Sequence, residues 1–280
     1  MGSLVIPGAF DPHAGWWEPY PTAPVRPFEQ TRLKLVTYNI WFGGFARSER
    51  TSALLELLAN CDADIIGLQE VTPPLLDQIL QTTWIRAAYT ISDISGGSVD
   101  PYGVLMLSRI PLINWRLDVL PSAMGRMLLS GELHAHGTRT YIATVHLEST
   151  IDAAPIRAKQ LRRIFPLLEG THHALLMGDF NFCSTWPAEN RQLDPEYLDL
   201  WHELHPAQPG YTIDSSRNTM RFEQDHEQKQ VRFDRIIMRS QRPGWIATQM
   251  DVIGTEPIAS GPPAIFVSDH FGLSCTLEWR

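Results

Sequence analysis

The chain has 280 residues, of which 44% are hydrophobic and 19% charged, the make-up of a soluble globular protein with a substantial core. Its formal net charge of −8, from 23 Lys and Arg against 31 Asp and Glu, argues against a protein that coats nucleic acid non-specifically. It leaves room for an enzyme that grips one strand end through a small basic patch, and for acidic clusters that hold a cation.

Residues 1–30 are rich in Pro and aromatics without periodicity, and read as an irregular N-terminal arm that packs Trp16, Trp17 or Tyr20 against the domain. They lack the basic start and unbroken apolar stretch of a signal peptide. "LKLVTYNI" then reads as a buried strand and "SERTSALLELLAN" as a helix with Leu54, Leu55 and Leu58 on its apolar face. "DADIIGLQEV" is a further strand, and "PPLLDQIL" a helix opened by prolines, which suit a first turn. "YGVLMLS", "TRTYIATVHLE" and "HALLMGDF" are strands, the last two separated by a helix over "AAPIRAKQLRRIFPLL". "QVRFDRIIM" and "FGLSCTLEW" close the pattern as strands, and residues 91–101, 181–195 and 212–229 are the longest loops. No linker or repeat divides residues 31–280, which read as a single domain. No apolar run has the length of a membrane span. Cys61, Cys183 and Cys275 are odd in number and far apart, which fits reduced thiols in an intracellular protein of cytoplasm or nucleus, not a secreted one.

Polar residues recur where the apolar runs end. "LLMGDFNF" sets Asp179 and Asn181 after a buried run, where unpaired polar groups cost free energy. A turn would explain that octapeptide alone. The same grammar returns at Asn39 in "VTYNIW", Gln69 and Glu70 in "IIGLQEV", His146 in "IATVHLES", Asp234 in "VRFDRI", and Asp269 and His270 in "IFVSDHFGL". Carboxylates and amides are hard ligands suited to Mg²⁺ or Mn²⁺, with Glu70 a natural first ligand. Histidine beside aspartate fixes the ring's tautomer and favours its charged form. A divalent cation, a cationic imidazole and neutral amides suit a phosphate that gains negative charge in a transition state. "WHELH" at 201–205 spaces its histidines i and i+3, whereas a metalloprotease helix needs i and i+4, and no third ligand is evident, so it reads as plain helix. "RAKQLRR" at 157–163 reads as the wet face of a helix, and "HH" at 172–173 as the end of a loop.

Taken in order, "TYNIWF", "LQEV", "HLEST", "GDFNF", "RFDRI" and "SDHFGL" resemble the endonuclease/exonuclease/phosphatase family, which includes DNase I. Within it, "HLEST", "VRFDRIIM" and "SDHFGLSCTLEW" look most like the 5′-tyrosyl-DNA phosphodiesterases. The resemblance implies an α/β fold, a four-layer sandwich of two mixed β-sheets packed face to face with helices outside. It implies that Glu70 holds Mg²⁺ (or Mn²⁺) with Asp269 beside the metal, and that Asn39 lies close to the metal–phosphate assembly. It implies that Asp179 orients and deprotonates the attacking water, supported by Asn181. His270, oriented by Asp234, would donate to a phosphoryl oxygen, and His146 would contact the phosphate from the other side. Asp269 reads equally as a hydrogen-bond acceptor only, and Ser149 as a substrate contact or a local cap. The implied partner is a single-stranded or frayed 5′ DNA end with a tyrosyl adduct, met by a monomer without a membrane.

The chain departs from that pattern at named places. Trp41 stands where the family often has an acidic residue. Ile151 and Cys183 stand where the tyrosyl-DNA enzymes tend to carry Arg, and Ile213 takes the place of a Trp in the substrate-binding wall. Tyr102, Arg126, Arg217 and Arg221 are the candidate replacements, since Arg and aromatics grip phosphates and stack on bases. Each reads equally well as a solvated surface residue. The rival readings are a family phosphatase, phosphodiesterase or nuclease acting on another phosphoester, and a catalytically silent relative that binds DNA ends or a protein.

Overall fold

Side-chain alternation gives each strand two faces to bury. In the strand Arg32–Asn39, Leu33 and Leu35 point to one face and Val36 and Tyr38 to the other. Leu35 meets Ile65, Leu175 and Met177 in a central core, while Val36 and Ile66 pack on Leu54 and Leu58 of the helix Arg47–Cys61. On the opposite side, Ala174 and Leu176 pack on Leu161 and Ile164 of the helix Ala154–Leu167. The order is therefore helices, sheet, sheet, helices, a four-layer α/β sandwich. The structure is a computed structural model that describes residues 2–20 and 27–280.

One sheet has seven strands, in the order Ser3–Leu4, Leu112–Val119, Met127–Ala135, Thr138–His146, His173–Asp179, Asp234–Ser240, Leu198–Asp199. The other has eight, in the order Trp245–Ile253, Gly272–Trp279, Arg32–Asn39, Ile65–Val71, Gly103–Ser108, Thr90–Ile91, Gly8–Asp11, Trp16–Pro19. Both are mixed. Thr138–His146 runs parallel to His173–Asp179, and Arg32–Asn39 parallel to Ile65–Val71, among otherwise antiparallel pairs. No helix among the described residues is long and apolar enough to cross a membrane.

The N-terminal segment is not the irregular arm its composition suggests. Ser3–Leu4 pairs with Arg116 and Leu117 of one sheet, and Gly8–Asp11 and Trp16–Pro19 form a hairpin at the edge of the other. Pairing with a ready-made sheet edge overrides weak local propensity. Residue 1 and residues 21–26 of that expected arm lie outside the described residues. Three long strands, Leu112–Val119, Met127–Ala135 and Trp245–Ile253, also escape the sequence pattern. The second carries Gly131 at its centre and buries Ser130 and Glu132, which obscures its alternation. The expected loop 212–229 contains the helix Thr219–Asp225, and a small hairpin pairs Ile213–Asp214 with Gln230–Val231.

The basic run at 157–163 is not a solvated face throughout. Arg157 is fully buried and pairs with Glu189 at 2.7 Å, while also donating to the carbonyls of Glu148 (2.9 Å) and Thr150 (2.6 Å). The helix thus uses a buried cation to fix the backbone that comes after His146. His202 and His205 of "WHELH" share the short helix Leu200–Leu204 and its C-terminal flank, with His205 Nε2 against the Met250 carbonyl at 2.8 Å.

Register finishes the placement of the polar strand ends. His146 sits opposite Asp179, and Asp179 opposite Asp234, across three adjacent strands of one sheet. On the facing sheet Asn39 lies opposite Gln69. Gly178 precedes Asp179 at φ 137°, and a Cβ there would lie 1.9 Å from the Val145 carbonyl, so only glycine fits this approach.

Arg157→Ala should lower stability by about 3–5 kcal/mol, because it strands Glu189 as an unpaired buried charge. Denaturant unfolding would measure this, and a loss below about 1 kcal/mol would contradict the assignment of the pair as a structural anchor.

Candidate active site

The apposed ends of the two sheets open on a cavity of about 580 Å³, lined by Glu70, His146, Ser149, Asp179, Asn181 and His270 together with Trp186, Ile213 and Arg221. The carboxylate of Asp179 is at its floor and is almost fully buried. Its Oδ1 accepts from the Asn181 backbone N–H at 2.8 Å, and its Oδ2 from Asn39 Nδ2 at 2.9 Å. His146 Nε2 approaches the same oxygen at 3.3 Å and His270 Nε2 at 3.9 Å. Asn39 and Asp179 belong to different sheets, so this hydrogen bond fastens the two together where the cavity opens.

The two histidines hold different charges for structural reasons. Arg126 Nη1 lies 2.9 Å from His146 Nδ1, and a guanidinium can only donate, so Nδ1 accepts and Nε2 carries the proton toward Asp179. Burial, with Arg126 and His270 adding positive charge nearby, holds the His146 pKa well below its ordinary value. His270 Nδ1 instead donates to Asp234 Oδ2 at 2.7 Å. Burial alone would lower its pKa, but Asp234, Asp269 and Asp179 raise it to about 10. One ring is neutral and the other cationic, and both face Asp179. Burial lifts the Asp179 pKa to about 6 against the lowering influence of His270 and its hydrogen bonds to Asn39 and Asn181.

Backbone strain aims several of these groups. Glu70 adopts φ 64° where the Ile65–Val71 strand loses register with its neighbour, a bulge that redirects its side chain toward the cavity. Asn181 (φ 53°) and Trp41 (φ 53°) are also left-handed. Glu70 Oε2 accepts from Phe42 N at 3.0 Å and Oε1 from Asn39 Nδ2 at 3.2 Å. Asn181 Nδ2 donates to the Leu147 carbonyl at 3.1 Å and lies 3.3 Å from Ser149 Oγ.

Two groupings bear on a metal. One atom from each of Asp179, Asp234 and His270 lies within 4.8 Å of the others, a spacing that a cation could share. His270 is already protonated and committed to Asp234, which makes this trio a poor ligand shell while that proton stays. Glu70 offers harder chemistry. Burial and the nearby charge of Asp269 raise its pKa, and it makes no ion pair among the described residues. A carboxylate destabilised in this way fits a divalent cation, with oxygen donors the set that Mg²⁺ or Mn²⁺ prefers. Asp269 lies 3.6 Å from Arg221 Nη1, and Arg221 also meets Asp225.

Of the other residues singled out in the sequence, Arg126 is buried behind His146 and, like Tyr102, is not among the residues lining the cavity; its Nη2 donates to Ser149 Oγ at 2.6 Å and its guanidinium lies 5.4 Å from the Tyr102 ring. Tyr102 stacks on Phe42 with centroids 4.7 Å apart. Ile213 lines the cavity while buried, and Ile151 lines it while exposed. Arg217 is not brought to the cavity and pairs with Glu256 on the surface.

Some contributors carried no sequence signal. Arg50 is buried and donates to the carbonyls of Ile40, Trp41 and Gly43, shaping the loop beside Glu70. Thr212 Oγ1 accepts from the Asp234 backbone at 3.0 Å. Gln69, by contrast, is marked in the sequence with Glu70 as a polar strand end, but it turns inward to Thr37 and Thr144 and is structural. Trp186 brings an indole to the cavity from the loop after Cys183, and could have been noticed as the aromatic that Ile213 lacks.

A model of the Endonuclease/Exonuclease/phosphatase family matches residues 36–270. Tyrosyl-DNA phosphodiesterase 2 of Gallus gallus is 32% identical over 258 residues, covering 88% of this chain and 67% of the relative. The Xenopus laevis protein of that name is 30% identical over 263 residues, covering 89% and 67%. Among solved structures, D. rerio TDP2 complexed with single-strand DNA product superposes with a TM-score of 0.78 at 24% identity, covering 89% of this chain and 100% of that one. That likeness establishes the fold.

In an NMR titration, His270 should keep both ring protons until pH nears about 10, while His146 stays neutral with its proton on Nε2 at neutral pH. Asp234→Asn should drop the His270 pKa steeply, because burial remains and the largest opposing charge is gone. A His270 titration unchanged by that substitution would contradict the electrostatic assignment.

Proposed function

Because the chain belongs to the endonuclease/exonuclease/phosphatase family, and is a phosphoester hydrolase, we propose that its reaction is the Mg²⁺-dependent hydrolysis of the 5′-phosphotyrosyl bond between a topoisomerase tyrosine and DNA, leaving a 5′-phosphate. The observation that carries the reading is Asp179, a buried base flanked by a neutral His146 and a cationic His270 in the same cavity as Glu70. The substrate is a single-stranded or frayed 5′ end, and the enzyme works inside the cell as a monomer in DNA repair.

Asp179 takes a proton from the water that attacks phosphorus, and Asn181 and Asn39 hold its carboxylate in line. His270 donates Nε2–H to a non-bridging phosphoryl oxygen while Asp234 fixes the ring, and His146 donates from the opposite side. Glu70, with help from Asp269, would hold a divalent cation, which would supply charge neutralisation for the phosphoryl oxygens. The bond from phosphorus to the tyrosyl oxygen breaks as that from phosphorus to the water oxygen forms. The phenol has a pKa of about 10, so it departs without a strong general acid. Arg126, expected from the sequence as a substrate contact, acts instead through His146 and Ser149, with Tyr102 packed on its guanidinium.

One observation favours a second reading. Ile151 is exposed at the cavity wall, where the tyrosyl-DNA enzymes tend to carry Arg, which suits a family phosphodiesterase acting on a phosphoester with an apolar neighbour.

A short DNA bearing a 5′-phosphotyrosine should release tyrosine with Mg²⁺ and not with chelator. Asp179→Asn or His270→Ala should cost about 10²-fold or more in turnover while the protein stays folded. Cleavage of an aryl phosphodiester without release of tyrosine from DNA would favour the second reading, and silence on both would sink the enzyme assignment. Activity should also fall as pH drops through about 6, because protonation of Asp179 removes the base. An acid limb near pH of about 4, where an ordinary carboxylate titrates, would place the base elsewhere.

A further inference from the structure

Among the polar residues of "HLEST", His146, Ser149 and Thr150 line the cavity, but Glu148 does not. Its carboxylate is 1% exposed and makes no ion pair among the described residues. Its Oε2 accepts from Ser122 Oγ at 2.5 Å and from Gln160 Nε2 at 3.4 Å, and its Oε1 accepts from Ala123 N at 2.9 Å. Ser122 Oγ in turn accepts from Met124 N at 2.9 Å and from Arg126 N at 3.0 Å. With both lone pairs of that hydroxyl engaged, its hydrogen has one direction left, toward Glu148.

These bonds pin the loop that joins the strands Leu112–Val119 and Met127–Ala135. The loop closes through Leu120 N to the Arg126 carbonyl at 3.0 Å, and its last residue is Arg126, the cation that sets the His146 tautomer and meets Ser149 and Tyr102. Glu148 is itself immobilised from the opposite side. Its N–H donates to Gln160 Oε1 at 2.9 Å and its carbonyl accepts from Arg157 Nη1 at 2.9 Å.

We propose that Glu148 is a positioning residue for Arg126: its buried carboxylate ties the Ser122–Arg126 loop to the "HLEST" backbone, and so holds the guanidinium against His146 and Ser149, which face the cavity. The proposal rests on the reading of His146 as a donor to the phosphoryl group, because Arg126 fixes the tautomer that makes it one. It explains why an acid occupies a site where no described cation pairs with it. Both Ser122 O–H and Ala123 N–H are donors, so both carboxyl oxygens must accept. An amide of the same shape would set its NH₂ against one donor in either orientation, and an unmatched buried donor is costly.

The test is a double-mutant cycle on kcat/KM with an aryl phosphodiester and Mg²⁺, using Glu148→Gln, Arg126→Ala and the pair. Glu148→Gln should lower kcat/KM about tenfold in the wild-type background, and by less than about twofold when Arg126 is already alanine. The His146 ring resonances should move in Glu148→Gln as they do in Arg126→Ala. If Glu148→Gln does not fold, Ser122→Ala takes its place, with the same background-dependent loss expected. Equal losses in both backgrounds, or wild-type activity in Glu148→Gln, would overturn the proposal. If the wild-type protein itself turned over no phosphodiester, the functional reading would fail, and the His146 resonances would still decide whether Glu148 positions Arg126.

Discussion

The structure depends on one buried carboxylate held between two sheets. Asp179 ends a central strand, and Asn39 of the facing sheet donates to it at 2.9 Å. An isolated carboxylate in an apolar interior would be expelled or protonated. Here a backbone N–H, an amide and two imidazoles surround it, so the charge is tolerated but not fully relaxed. Its pKa of about 6 expresses that balance. A base with this value is ionised at neutral pH and still has appreciable affinity for a proton, which is what removing a proton from water requires.

The surrounding backbone shows the same compromise. Trp41, Glu70, Thr150 and Asn181 all take left-handed conformations close to the cavity. Such residues cost of order 1–3 kcal/mol each and persist where the rest of the fold over-determines them. Four apolar clusters do this, one between the sheets, one under each outer layer of helices, and a small one of Met220, Phe266 and Phe271 that packs against Trp41. Buried arginines add a second kind of support. Arg50 gathers the carbonyls of the 40–45 loop, and Arg157 those of the segment after His146, so the loops that carry the site are fixed by charge-assisted hydrogen bonds.

The two imidazoles divide the work through their partners, not through their exposure, since both are buried. Burial, reinforced by the Arg126 guanidinium, keeps His146 neutral, and the carboxylates around His270, Asp234 above all, overcome the same burial and keep it charged. The cavity therefore offers one neutral and one cationic donor around a single base, with Glu70 in no ion pair among the described residues. Further out the wall turns apolar at Ile151, Ile213 and Trp186. The wall is also charged at Arg221, Glu227 and Lys229, so ionic and apolar groups both surround the carboxylates and imidazoles of the floor.

Local spacing was enough to reveal the polar strand ends, the alternating buried strands and the major helices. Asp179, Asn181, Glu70, Asn39, His146, Asp234 and His270 could all be picked out, since a polar residue that closes an apolar run stands out in one dimension. Which of these face one another, and in what state of charge, was settled only by folding. Nothing local reveals that Arg126 sets the tautomer of His146, that Arg157 is buried instead of solvated, or that residues 3–19 complete sheet edges. Those outcomes come from register and from pairing between segments more than a hundred residues apart, where hydrogen-bond geometry and desolvation overrule local propensity. The protonation states of the site lie wholly on that side, because a pKa is set by neighbours that the chain brings together only when it folds.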